Sequence, residues 1–146
     1  MVLSKSCHYG LRAVLYISRH TRDGHVPIHE ITEQLDLSFH FVTKILQRLT
    51  RAGLLLSCKG PKGGVKLARP AHEISLRDLV EAIEGTELFN GCLLGLNKCH
   101  GDEPCPTHEE WAPLRDKMTL LFEKTTLAKL SGKSKIRERR LVDLER

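Results

Sequence analysis

The chain has 146 residues, 40% hydrophobic and 28% charged, with a formal net charge of +5, the proportions of an ordinary globular protein with a mild preference for polyanionic partners. No apolar run approaches the roughly 20 residues that cross a bilayer, and Met1 to Gly10 lacks the apolar centre of a signal peptide, so no membrane role is expected and the cytoplasm is the expected compartment. In that reducing setting five cysteines, an odd number, read as ligands, reactive thiols or core residues rather than as a disulfide framework.

The first element is an amphipathic helix in which Tyr9, Ala13, Tyr16 and Ile17 interleave with Leu11, Val14 and Leu15 to form a broad apolar face, ending near Thr21, Asp23 and Gly24. Pro27 opens a second helix carrying Ile28, Ile31 and Leu35 on one side, since a proline lacks only an N–H that the first helical turn does not use. Asp36, Leu37 and Ser38 read as a tight turn. Ser38 is placed to cap a third helix, Phe39 to Ala52, whose inward set is Val42, Ile45, Leu46 and Leu49 and which Gly53 ends. Two short helices joined by a brief turn make a helix-turn-helix.

Leu54 to Lys59 and Val65 to Ala68 have the composition of short strands, and the Gly60-Pro61-Lys62-Gly63-Gly64 run between them makes a hairpin with a basic tip. A hairpin directly after a recognition helix is a wing, and that order points to DNA. Ser38, His40, Phe41, Thr43, Lys44 and Gln47 are expected to face away from the inward set, with base contacts from His40, Thr43 and Lys44. Arg48, Arg51, Lys59 and Lys62 are the expected phosphate contacts, which position a protein without reading sequence.

Ser75, Leu76, Leu79, Val80 and Ile83 give a further helix, capped by Ser75 and closed by Gly85. The pattern then breaks from Thr86 to Thr107, a loop long enough to require a functional reason. Cys92, Cys99 and Cys105 stand in it, with His108 just beyond. Thiolates with an imidazole suit zinc or an iron-sulfur cluster. Spacings of six and five residues between the cysteines fit the paired ligands of structural zinc poorly, yet Cys3His zinc and a thiol switch both stay open as alternatives. No pattern builds the base and oxyanion site of a cysteine enzyme, so the chain is not read as one. Cys58, in the wing strand, is expected to be a small buried residue.

Trp111, Leu114, Met118, Leu121, Phe122 and Thr125 recur at helical spacing towards Leu130, giving a long helix whose apolar stripe is expected to meet a second copy of itself. Part of that stripe can instead pack back on its own winged domain. The expected organisation is mainly α: a winged helix-turn-helix over 1–85, a cysteine loop over 86–109, a dimerisation helix over 110–130, and a charged, mobile tail over 131–146.

In these residues the chain resembles the bacterial iron-sulfur cluster regulator family, dimeric winged-helix transcription factors that include the IscR, NsrR and RirA types. The resemblance runs from Leu3 to about Leu130 and rests on Tyr9-Gly10-Leu11-Arg12-Ala13, the stretch from Lys44 to Leu54, the wing from Lys59 to Leu67, and the three cysteines. It implies that Cys92, Cys99 and Cys105 hold a 2Fe-2S or 4Fe-4S cluster, with a fourth ligand of another kind. Cys105-Pro106-Thr107-His108 followed by Trp111 is similar to the IscR type, in which that histidine is the fourth ligand. Cys7-His8-Tyr9-Gly10-Leu11-Arg12 looks instead like the NsrR type, whose partner-subunit carboxylate falls where this chain has His8. His108 is the favoured fourth ligand, on local placement, with His8 and Cys7 as alternatives. A homodimer on a roughly palindromic duplex, with its affinity set by iron, redox or nitric oxide status, is the implied activity. A zinc-bound adaptor for protein contacts and a thiol-based redox regulator are the competing readings.

Overall fold

The computed structural model describes residues 2–20, 24–97 and 102–132. Its centre is α1 (Lys5–Arg19), begun by Ser4, whose hydroxyl accepts from the Cys7 N–H. Three consecutive residues of α1, Ala13 to Leu15, are buried, because neighbours surround the helix on several sides. Those neighbours are α2 (Ile28–Leu35), α3 (Phe39–Arg51), α4 (Leu76–Glu84), the second wing strand and the last helix.

Pro27 takes the N-cap position of α2, one residue ahead of the expected first turn, and Asp36 closes that helix in the left-handed conformation at φ 51°. The left-handed region is uncommon for a residue with a side chain, and aspartate is among those that tolerate it best. Ser38 stands at the N-cap of α3 but its hydroxyl makes no capping hydrogen bond. Val42, Ile45, Leu46 and Leu49 are buried, as their spacing predicts.

The wing is an antiparallel pair, β1 (Leu55–Cys58) with β2 (Gly64–Leu67), in the register Leu55 to Leu67 and Cys58 to Gly64. A third segment joins it, since Val26 and Val65 exchange backbone hydrogen bonds of 2.7 and 2.9 Å. That approach explains Gly64: its φ is +147°, and a Cβ there would lie 2.1 Å from the Val26 carbonyl oxygen. Cys58 departs from expectation. It is exposed, because of the four β1 residues only Leu55 is buried against the core and the strand runs out into solvent from there.

After a 3-10 turn at Ala71–Glu73, Ser75 and Asp78 form a reciprocal capping box at the start of α4. The expected unstructured stretch then contains a one-turn helix, α5 (Glu87–Asn90), whose buried Phe89 meets Phe122 edge-on at 5.4 Å between centroids. The expected single long helix is two, α6 (His108–Lys124) and α7 (Leu127–Ser131). Thr125 turns extended, and Thr126 caps α7 by accepting from the Lys129 N–H. The chain pairs there with the start of α4: the Leu76 N–H donates to the Thr125 carbonyl at 2.7 Å, and the Leu127 N–H to that of Ile74 at 2.8 Å. Leu127 is fully buried, so the helical periodicity towards Leu130 spans a helix that leaves the winged domain and a second that rejoins it. Of the apolar stripe, Phe122 is buried and Met118 packs on the core, whereas Leu114 and Leu121 remain 59% and 61% exposed. The expected tail lies outside the described residues beyond Gly132, as does the stretch from Thr21 to Asp23 where the first helix was expected to end.

Candidate nucleic-acid interface and cysteine centre

The recognition helix presents Ser38, His40, Lys44, Gln47 and Arg51 to solvent, which follows from the burial of the alternate set. Phe41 does not join them: it is half-buried, packing on the core and edge-on against Tyr9 at 5.6 Å, because its position on α3 borders α1. Thr43 is also half-buried, with an Oγ1 that has no hydrogen-bond partner among the described residues. Together with Gln47, Arg51, Ile28 and Ser57 it lines a groove of about 340 Å³ between α3 and the wing. Arg48 is exposed but not uncommitted, since one guanidinium nitrogen donates to the Ile83 carbonyl at 2.8 Å and fastens α3 to the end of α4. Lys59 and Lys62 are exposed at the wing tip, whose turn is closed by the Gly63 N–H on the Gly60 carbonyl. One exposed feature escapes the periodicity argument. Phe39 begins α3 and stacks on His29 of α2 at 4.8 Å, offering a flat apolar edge beside the polar residues.

The cysteine segment is arranged around the first turns of α6. Cys92 and Cys105 bring their sulfurs to 3.5 Å. Cys105 is 7% exposed and has the Thr107 hydroxyl 3.5 Å from its sulfur, while the Leu94 N–H donates to the Cys92 sulfur at 3.4 Å. Cys99 lies outside the described residues, and among the described residues no three His, Cys, Asp or Glu side chains gather as a metal site. The donor set nonetheless fits a thiophilic metal. Two thiolates on one tetrahedral centre with bonds near 2.3 Å stand about 3.8 Å apart, close to the spacing found.

His108 begins α6 rather than following Cys105 within a helix, and its N–H donates to the Cys105 carbonyl at 3.0 Å, so both belong to one turn. His8 is half-buried on α1. Cys7 is buried in the core, where desolvation and the Glu84 carboxylate push its thiol from the usual 9.0 up to about 12. Glu84 is itself held by the backbone N–H and hydroxyl of Ser4. As the structure stands, Cys7 is a protonated core residue, and ligation by it would require α1 to move.

This architecture and these residues can be set beside known proteins. Residues 3–133 match the model of Rrf2, described as an iron-dependent transcriptional regulator. The chain belongs to the Rrf2 family. It is 31% identical over 132 residues to an HTH-type transcriptional regulator of Aquifex aeolicus, a match covering 89% of this chain and 91% of that one. It is 29% identical over 136 residues to the HTH-type transcriptional regulator IscR of Pectobacterium atrosepticum, covering 93% of this chain and 82% of the relative. Among solved structures, oxidised CymR of Staphylococcus aureus is similar, with a TM-score of 0.73 and 28% identity, covering 92% of this chain and 98% of CymR. The winged helix-turn-helix expected from the sequence is therefore the family's fold, and this Rrf2 protein is a transcriptional regulator. No helix among the described residues is long and apolar enough to cross a membrane.

Proposed function

We propose that this regulator binds a roughly palindromic duplex as a homodimer, and that a metal-sulfur centre on Cys92, Cys99 and Cys105 sets its affinity. The 3.5 Å approach of Cys92 to Cys105, across a stretch that sequence alone reads as open loop, carries the reading. A bound iron-sulfur cluster supplies a reversible change in charge and ligation at that point. His108 is the favoured fourth ligand because it shares a turn with Cys105, with His8 and Cys7 as alternatives. Two recognition helices would enter successive major grooves. His40, Thr43, Lys44 and Gln47 supply base contacts, and Arg51, Lys59 and Lys62 meet phosphates. Arg48, fastened to α4, relays the position of the cysteine-bearing side of the molecule to the recognition helix. The exposed Leu114 and Leu121 of α6 supply the self-association face.

The IscR relative favours a cluster, whereas the oxidised CymR structure and the facing thiols favour a second reading, a cysteine switch that closes as a disulfide. Anaerobic purification separates them. The first reading expects a coloured protein containing iron and acid-labile sulfide, with Cys92→Ala abolishing the colour in a folded chain. A colourless protein, or colour that survives Cys92→Ala, overturns it. DNA contact is tested by salt: log affinity should fall against log salt by about 0.9 per neutralised phosphate. Lys62→Ala should flatten that slope by about one unit while preserving site preference, and an unchanged slope removes the wing from the interface.

A further inference from the structure

Both thiols of the facing pair take their position from the same helix. Cys105 is tied to the first residue of α6 by the His108 N–H. Cys92 follows Gly91, whose carbonyl oxygen accepts two hydrogen bonds from α6: the Trp111 indole N–H at 3.1 Å and an Arg115 guanidinium N–H at 3.2 Å. Arg115 also reaches the Asn90 carbonyl at 3.3 Å. Residues four apart lie on one face of a helix, one turn above the other, so indole and guanidinium converge on a single backbone oxygen. The remaining Arg115 Nε is buried without a hydrogen-bond partner among the described residues, a cost expected to be kept only where the side chain is needed in this place. Glu87 closes the other side, since a Cβ on Gly91 would lie 2.4 Å from the Glu87 carbonyl oxygen. The backbone before Cys92 is thus held between α5 and α6.

We infer that Trp111 and Arg115 are positioning residues that hold the Gly91 carbonyl so that Cys92 faces Cys105. The inference rests on the reading of these two cysteines as the working pair, and it assigns the alignment to two residues that carry no thiol and bind no metal. It also gives α6 a task besides the proposed self-association: its first two turns, His108 to Arg115, act as a common template that holds the two sulfurs together.

The test measures the alignment itself. A parent chain with Cys7, Cys58 and Cys99 replaced by Ser keeps only Cys92 and Cys105, and is equilibrated in mixtures of reduced and oxidised glutathione. The two protein thiols give two protons and two electrons in forming one S–S bond, while one oxidised glutathione is cleaved to two reduced molecules, so the equilibrium ratio reports the effective concentration of one thiol at the other. Trp111→Phe keeps the aromatic bulk and loses the donor. It should lower that effective concentration by about fivefold, the scale of one lost hydrogen bond. Arg115→Met should lower it further, and Arg115→Lys, which retains a donor, should recover part of the loss. Circular dichroism and the urea midpoint identify any variant that merely fails to fold, and the milder Trp111→Phe then decides. If the parent forms the disulfide and both Trp111→Phe and Arg115→Met match it, the positioning role is overturned while the cysteine pair stands. If a folded parent forms no disulfide at any buffer ratio, the facing arrangement of the two sulfurs is rejected and this inference with it, while the cluster reading is judged separately by the colour and the iron and sulfide content of the natural chain.

Discussion

The winged domain and the cysteine segment are built by different physics. From α1 to α4 the chain buries a continuous apolar cluster, with Ile17, Ile31, Leu46, Leu49 and Leu79 almost wholly removed from water. Between Glu87 and Lys124 the buried side chains among the described residues are Phe89, Cys105 and Phe122. Polar fastenings carry the rest. Arg77 of α4 lies over the Phe89 ring at 5.1 Å and pairs with Glu81 and Glu123, while Trp111 and Arg115 hold the Gly91 carbonyl. Burial is non-directional and cumulative, so the reading head tolerates small disturbances. A few directional bonds form or break together, which is what a segment with two arrangements requires.

Truncation inside the reading head should have the largest effect on stability. Leu49→Ala, on the inner face of α3, should cost about 2–5 kcal/mol in urea unfolding. A cost below 1 kcal/mol would show that the head is not held by packing. Gly10→Ala comes next. Its Cβ would stand 2.5 Å from the Ile83 Cδ1 and 2.9 Å from the Ile45 Cγ2, so these buried side chains must repack or α1 must shift, at about 1–3 kcal/mol.

Titration of Cys7 gives a smaller, pH-dependent effect. Its thiol deprotonates near 9.0 when unfolded and at about 12 when folded, so between those values the folded state retains a proton that the unfolded state has lost. The stabilising contribution is complete below pH 9 and is lost as pH rises through 9 towards 12. Unfolding free energy should therefore fall over that window, and less steeply in Cys7→Ala. Alkylation at pH 8 supplies a second check, labelling exposed Cys58 rapidly and Cys7 only on unfolding. Equal rates would place Cys7 outside the core.

The smallest effect on the single chain is expected from Leu114→Ser with Leu121→Ser, within about 0.5 kcal/mol because both side chains are already in water. The same pair should weaken self-association markedly in sedimentation experiments. An unaltered dimer would move the interface off this face of α6.

Legibility in the sequence follows the same division. The helix-turn-helix, the wing and the capped α4 are visible because each is a local pattern: apolar spacing at 3.6 residues, a Gly-Pro-rich turn, a serine three residues before an aspartate. Phe41 was misplaced because spacing on one helix does not show that α1 lies alongside its border. Cys58 was misplaced because a strand pattern does not show that the core ends at Leu55 of β1. The break between α6 and α7 rests on Thr125 and Thr126, polar residues that an apolar periodicity does not register, and its cause is the backbone pairing with Ile74 and Leu76. In the cysteine segment the thiols were legible but the approach of Cys92 to Cys105 was not: nothing in the spacing between them shows that Trp111 and Arg115 converge on Gly91.

The pairing of Ser75 and Ile74 with Thr126 and Leu127 gives the molecule an architecture of parts. The chain leaves the reading head and returns at the same spot, so the long excursion between is closed at its base like a drawstring. The entropy of closing such a loop grows only with the logarithm of its length. Residues between Asn90 and Cys105, where none of the described side chains is buried, can thus be added, removed or replaced at little cost to the head, whereas Phe89 and Phe122 belong to its core. One winged unit is in this way free to carry intervening segments of different size and chemistry, each inserted at a seam that is already sewn.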